Sequence, residues 1–128
     1  MPNLILPCEV GVKTILPSVK AIMAREIVTN RGMNEQQTAE LLGLSQSAVS
    51  RYMNKERGNN QLALENSAEI LALINQMVSV IIKDPKNKSE ILRLFCGTCE
   101  AIRKKGLMCT QCQKAMSPEW AEGCLFCR

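Results

Sequence analysis

The chain has 128 residues, a formal net charge of +4, 46% hydrophobic but only 3% aromatic residues, seven cysteines and no histidine. That length holds one small domain with an appendage, and the apolar content predicts helices rich in Leu, Ile, Val and Ala. No apolar run approaches a membrane span, the first residues do not form a basic stretch followed by a long apolar one, and the missing histidine removes the commonest general base, so a cytoplasmic protein that is not an enzyme is expected.

In chain order, Pro17 and Ser18 are placed to open a helix in which Val19, Ile22, Met23 and Ile27 recur at helical spacing, ending near Asn30-Arg31-Gly32. Residues 35–54, EQQTAELLGLSQSAVSRYMN, then predict two short helices joined by a tight turn. Ala39 is small enough to let the helices cross closely, and Gly43 can take the positive φ that the turn requires. Val49, Leu41, Leu42, Leu44 and Met53 would close a small apolar core. Ser45 is a suitable N-cap for the second helix. Gln46, Ser47, Ser50, Arg51 and Asn54 would project outward as donors and acceptors for base edges and phosphates, followed by Lys55 and Arg57 where a DNA backbone would pass. By side-chain geometry Arg51 suits guanine and Gln46 adenine.

The segment from Pro7-Cys8-Glu9 through LLGLSQSAVSRYM to Asn54-Lys55-Glu56-Arg57-Gly58 resembles the N-terminal domain of archaeal predicted transcriptional regulators with a lambda-repressor-like, XRE-type helix-turn-helix. The resemblance covers roughly the first half of the chain. It implies a sequence-specific DNA-binding transcription factor and carries base-contact roles onto Gln46, Ser47, Ser50 and Arg51. The even charge split is compatible with that: seven basic against five acidic residues in 1–60, and nine against seven in 61–128. RNA is a weaker target, because Tyr52, Phe95, Trp120 and Phe126 are too few and too scattered to form stacking platforms.

Gly58-Asn59-Asn60 breaks the pattern before a strongly apolar helix at 65–84, ENSAEILALINQMVSVIIKD, closed by Asp84-Pro85. Ile70, Ile74, Met77 and Ile81 step along one side, with Leu71, Val78 and Ile82 widening the stripe. So much apolar surface predicts a second copy of the chain, which would suit a DNA reader that meets successive major grooves as a homodimer; packing within the monomer is the alternative. Ser89 is placed to cap a further helix at 90–105, with Gly106 as its stop.

Three Cys-x-x-Cys pairs follow: Cys96 and Cys99, Cys109 and Cys112, Cys124 and Cys127. Two thiolates two residues apart can enter one metal site, and two pairs supply the four soft ligands of a Zn2+ ion or an iron-sulfur cluster of the 4Fe-4S type. Cys109, Cys112, Cys124 and Cys127 lie in turn-prone segments that suit a ribbon-like site. Cys96 and Cys99 fall on a helix, where they could replace one of those pairs, act as redox thiols or simply pack. Cys8 stands apart and reads as a packed residue near the first helix, with a ligand role as the alternative.

The expected architecture is therefore mostly α: a helix-turn-helix DNA-binding domain at 1–60, a dimerisation helix and linker at 61–88, and a cysteine-rich module at 89–128. The leading functional expectation is a dimeric DNA-binding transcriptional regulator whose binding responds to an iron-sulfur cluster or thiol redox state. The alternative is a constitutive regulator whose structural zinc module docks another protein, such as the transcription machinery.

Overall fold

A computed structural model describes residues 6–54 and 59–115. Among these residues every regular element is helical, and no helix is long and apolar enough to cross a membrane. Helix α1 (Pro7–Val10), a π-helical turn (Gly11–Ile15) and helix α2 (Leu16–Asn30) follow one another without a break. The helix thus begins at Pro7 and not at Pro17. A proline inside a helix cannot donate to the carbonyl four residues back and collides with it. The chain accommodates Pro17 by widening the preceding turn, so that the Leu16 amide donates to the Gly11 carbonyl five residues earlier.

Asn34 and Gln37 start α3 (Glu35–Leu42) with a reciprocal capping box: Gln37 N–H donates to Asn34 Oδ1 at 2.8 Å, and Asn34 N–H donates to Gln37 Oε1 at 3.1 Å. The helix ends at Gly43, which sits at φ 66°, ψ 33° and lets the Leu44 amide close back onto the Ala39 carbonyl at 2.9 Å. A Cβ at this position meets nothing within 4 Å. Gly43→Ala should therefore act through backbone strain alone and cost about 1–2 kcal/mol, measured by urea unfolding. A change below about 0.3 kcal/mol would show that the turn relaxes out of the left-handed region.

Helix α4 (Gln46–Asn54) follows three residues later. Beyond it lies α5 (Asn59–Glu65), in a stretch whose asparagines read as a break. Burial holds it in place: Leu64 is fully buried, Gln61 is nearly so, and Gln61 Nε2 donates to Glu65 Oε1 at 3.2 Å. Helix α6 (Ala68–Lys83) is capped by the Ser67 hydroxyl. Helix α7 (Lys88–Lys104) is capped by Asn87, whose Oδ1 accepts from the Glu90 amide, and not by Ser89. Gly106, at φ 74°, follows the end of α7, and α8 (Cys109–Ala115) comes next.

The apolar stripe of α6 is covered by its own chain. Ile70, Ile74, Met77, Val78 and Ile81 are buried in one cluster with Val19, Ile22, Met23 and Ile27 of α2 and with Leu94 and Ile102 of α7. Leu71 and Ile82 are half-buried against the same cluster. The sequence pattern could not distinguish a neighbouring helix from a second copy, because either removes the same area from water. Thr98 on α7 enters this core with its hydroxyl satisfied by the Leu94 carbonyl at 2.8 Å and directed at Met77 Sδ at 3.8 Å. Val10, Leu64 and Met108 join the same cluster, so one core draws on residues from all three segments, 1–60, 61–88 and 89–128.

Candidate nucleic-acid interface and cysteine segment

Helices α2, α3 and α4 meet at a second, smaller knot in which Ala24, Ala39 and Val49 are buried, with Val28, Leu42, Leu44, Tyr52 and Met53 around it. Two alanines at the crossing let three backbones approach closely. Leu41 belongs to the larger cluster instead. Across the turn, Ser45 Oγ accepts from the Ala48 amide at 3.1 Å and satisfies one of the otherwise unpaired donors at the start of α4. At the other end, Arg25 of α2 donates from Nε to the Tyr52 carbonyl at 3.0 Å. A cation near a helix C-terminus is favourable, and this one also ties α4 to α2. The contact spans 27 residues of sequence, so no local signal announces it.

Ser45, Gln46, Ser47, Arg51 and Asn54 are exposed, as the expected outward face requires. Ser50 is different. It is half-buried, and its hydroxyl donates to Glu35 Oε2 at 2.9 Å, linking α4 to the first turn of α3. In this arrangement Ser50 braces the hairpin with a carboxylate beside it, and the exposed polar side chains left on α4 are those of Gln46, Ser47, Arg51 and Asn54. Lys55 and Arg57 lie outside the described residues. Gln36, next to Glu35 in the first turn of α3, is a further exposed polar group. Lys104 donates to the Glu100 carboxylate and lowers its pKa, while Glu90 accepts from Arg93 and raises that of the guanidinium.

Among the cysteines, Cys96 and Cys99 lie on α7 as their spacing suggested, but in unlike surroundings: Cys96 is exposed and Cys99 half-buried. Cys99 Sγ and Met108 Sδ lie close over Gly11, each 3.4 Å from where a Cβ would stand there. Cys109 and Cys112 are not in a loop; they sit on successive turns of α8, both half-buried, with Cys112 packed on the main core. Helix α8 packs against α1, and Gln111 Nε2 donates to Asn60 Oδ1 at 3.0 Å, tying it to α5 as well. Among the described residues no three Cys, Asp or Glu groups converge closely enough to hold a metal ion. Cys96 and Cys99 therefore do not complete a site with Cys109 and Cys112 in this arrangement. The Cys109–Cys112 pair has the spacing and chemistry of half a soft-metal site, and the other half that the sequence offers, Cys124 and Cys127, lies outside the described residues.

Cys8 is exposed on α1, and it lines the same groove as Cys96 and Cys99. No local pattern announces that these three thiols share a wall, because α1 and α7 lie far apart in the chain and only the folded core joins them. Comparisons of the chain with protein-family models, with curated proteins and with solved structures returned no match.

Proposed function

We propose that the protein is a sequence-specific DNA-binding transcriptional regulator in which α3, the Gly43 turn and α4 act as a helix-turn-helix and α4 enters the major groove. The observation that carries this reading is the rigid seat of α4. Its inner face is held by Val49 against Ala24 and Ala39, its start by Ser45 and its end by Arg25, while Gln46, Ser47, Arg51 and Asn54 stay exposed together. A reading helix needs this preorganisation, since each good bidentate base contact discriminates by about 1–3 kcal/mol only if the side chain is presented in register. Two copies would place two such helices on half-sites about one helical turn apart. Because the α6 stripe is used within the chain, that pairing would employ another surface.

In the same proposal the cysteine segment holds an iron-sulfur cluster through Cys109 and Cys112 with Cys124 and Cys127. Such a group, when bound, supplies a redox-sensitive cross-link between segments that have little core of their own. The chain's own part is to transmit it: α8 carries two of the thiols and packs on α1, which continues through the π-helical turn into α2, where Arg25 anchors α4. The regulatory step then needs one state of the segment to favour the DNA-bound geometry over the other.

The test is selection of duplexes from a randomised pool by the full chain purified without oxygen, followed by titration of the selected site, with iron and acid-labile sulfide analysed on the same sample. A preferred site, bound at least about 1,000-fold more tightly than random duplex, is expected, with affinity that shifts on Cys109→Ser. Binding without any sequence preference would overturn the DNA reading. Zinc at one per chain, with affinity unchanged in Cys109→Ser, would overturn the sensing part and leave a constitutive regulator with a structural tail.

A further inference from the structure

An open groove of about 710 Å³ runs between the α1–α2 rod, the C-terminal end of α3 and α7. Its size falls within the range of small-molecule sites, roughly 300–1,000 Å³. The walls are built largely from aliphatic and aromatic side chains, among them Ile15, Val19, Leu41, Ile91 and Phe95. Two of its lining residues, Val12 and Leu92, are 61% and 63% exposed, so the groove presents large apolar side chains to solvent.

The charged residues on this wall are Lys20, Lys88 and Arg103 against the single carboxylate of Glu40. Arg103 is half-buried, and its Nε is fully buried with no hydrogen-bond partner among the described residues. The nearby Glu100 carboxylate is engaged with Lys104 at 2.9 Å. A buried N–H without an acceptor is costly, and the Arg103 Nε donor calls for a partner.

We propose that this groove binds an amphipathic anion, a hydrocarbon chain ending in one carboxylate, with the chain along the apolar walls and the carboxylate on the Arg103 guanidinium. A purely apolar ligand would leave the Arg103 Nε unpaired, and a small inorganic anion would leave the apolar walls in water. Only a molecule with both parts answers both observations. The site is independent of what α4 contacts.

The test is calorimetric titration of the full chain with decanoate below its micellar concentration, beside decanol and acetate. Decanoate is expected to bind at least about tenfold more tightly than decanol, and acetate not at all, because a charge-assisted hydrogen bond in a partly dry site is worth that factor or more. Arg103→Gln should reduce decanoate binding to the level of decanol. Leu92→Glu, at an exposed position that leaves folding untouched, should weaken decanoate by about threefold or more by placing a like charge at the groove. Decanoate should also slow alkylation of Cys96, which lines the groove and is exposed. Equal binding of decanoate and decanol, or full decanoate affinity in Arg103→Gln, overturns the proposal. So does an absence of decanoate binding combined with a dimer that Leu92→Glu converts to monomer, which would make a second copy the occupant.

Discussion

Ile74→Ala is expected to lower the unfolding free energy by about 2–5 kcal/mol, a large share of the roughly 5–15 kcal/mol typical of a whole domain. Ile74 is fully buried at the middle of the α6 stripe, between α2 and α7, so its truncation removes three carbons from the cluster that joins α2, α6 and α7. The loss combines the transfer free energy of those groups with the cavity they leave, since helices packed on both sides cannot collapse freely into it. Urea or thermal unfolding of the variant beside the parent measures it.

The same experiment separates two origins of the stripe's burial. Covered by its own chain, Ile74 should show the same loss at all protein concentrations, whereas a residue buried only between two copies gives a midpoint that rises with concentration by mass action. A destabilisation that disappears on dilution would mean that a second copy, not α2 and α7, covers α6.

Arg51→Ala has the largest expected effect on function. Arg51 is an exposed cation on α4 with no hydrogen bond or ion pair to the described residues, so the variant should unfold like the parent. Its affinity for the selected duplex should fall by about 1–3 kcal/mol, roughly 5- to 150-fold, while affinity for random duplex changes much less. Lys55→Ala provides the contrast: a phosphate contact is lost from every sequence alike, and the slope of binding against salt decreases by about one. A uniform loss in Arg51→Ala with a selective one in Lys55→Ala would reverse the two assignments.

Ser50 shows why those roles could not all be read from the sequence. At a helical spacing from Gln46 and Ser47 it looks equally available, yet Glu35, fifteen residues earlier, accepts its hydroxyl and turns it into a brace. Arg25 is the converse case: nothing near it in sequence points to α4, and only the folded chain brings it to the Tyr52 carbonyl.

What the sequence determined by itself is local. The capping by Ser45, the left-handed residue at Gly43, and the polar face of α4 follow from propensities and periodicities within a few residues, where backbone sterics and unpaired helix ends leave few choices. The tertiary structure decided which surfaces meet. It gave the α6 stripe to α2 and α7, stabilised α5 through Leu64 and Gln61 despite weak local signals, and widened the turn before Pro17. It also left no three described cysteines converging on one metal site, while gathering Cys8 and Arg103 into an apolar groove. The physical reason is that hydrophobic burial is non-directional: it tells each helix to cover its apolar face, and only the packing of the whole chain selects the partner that does so.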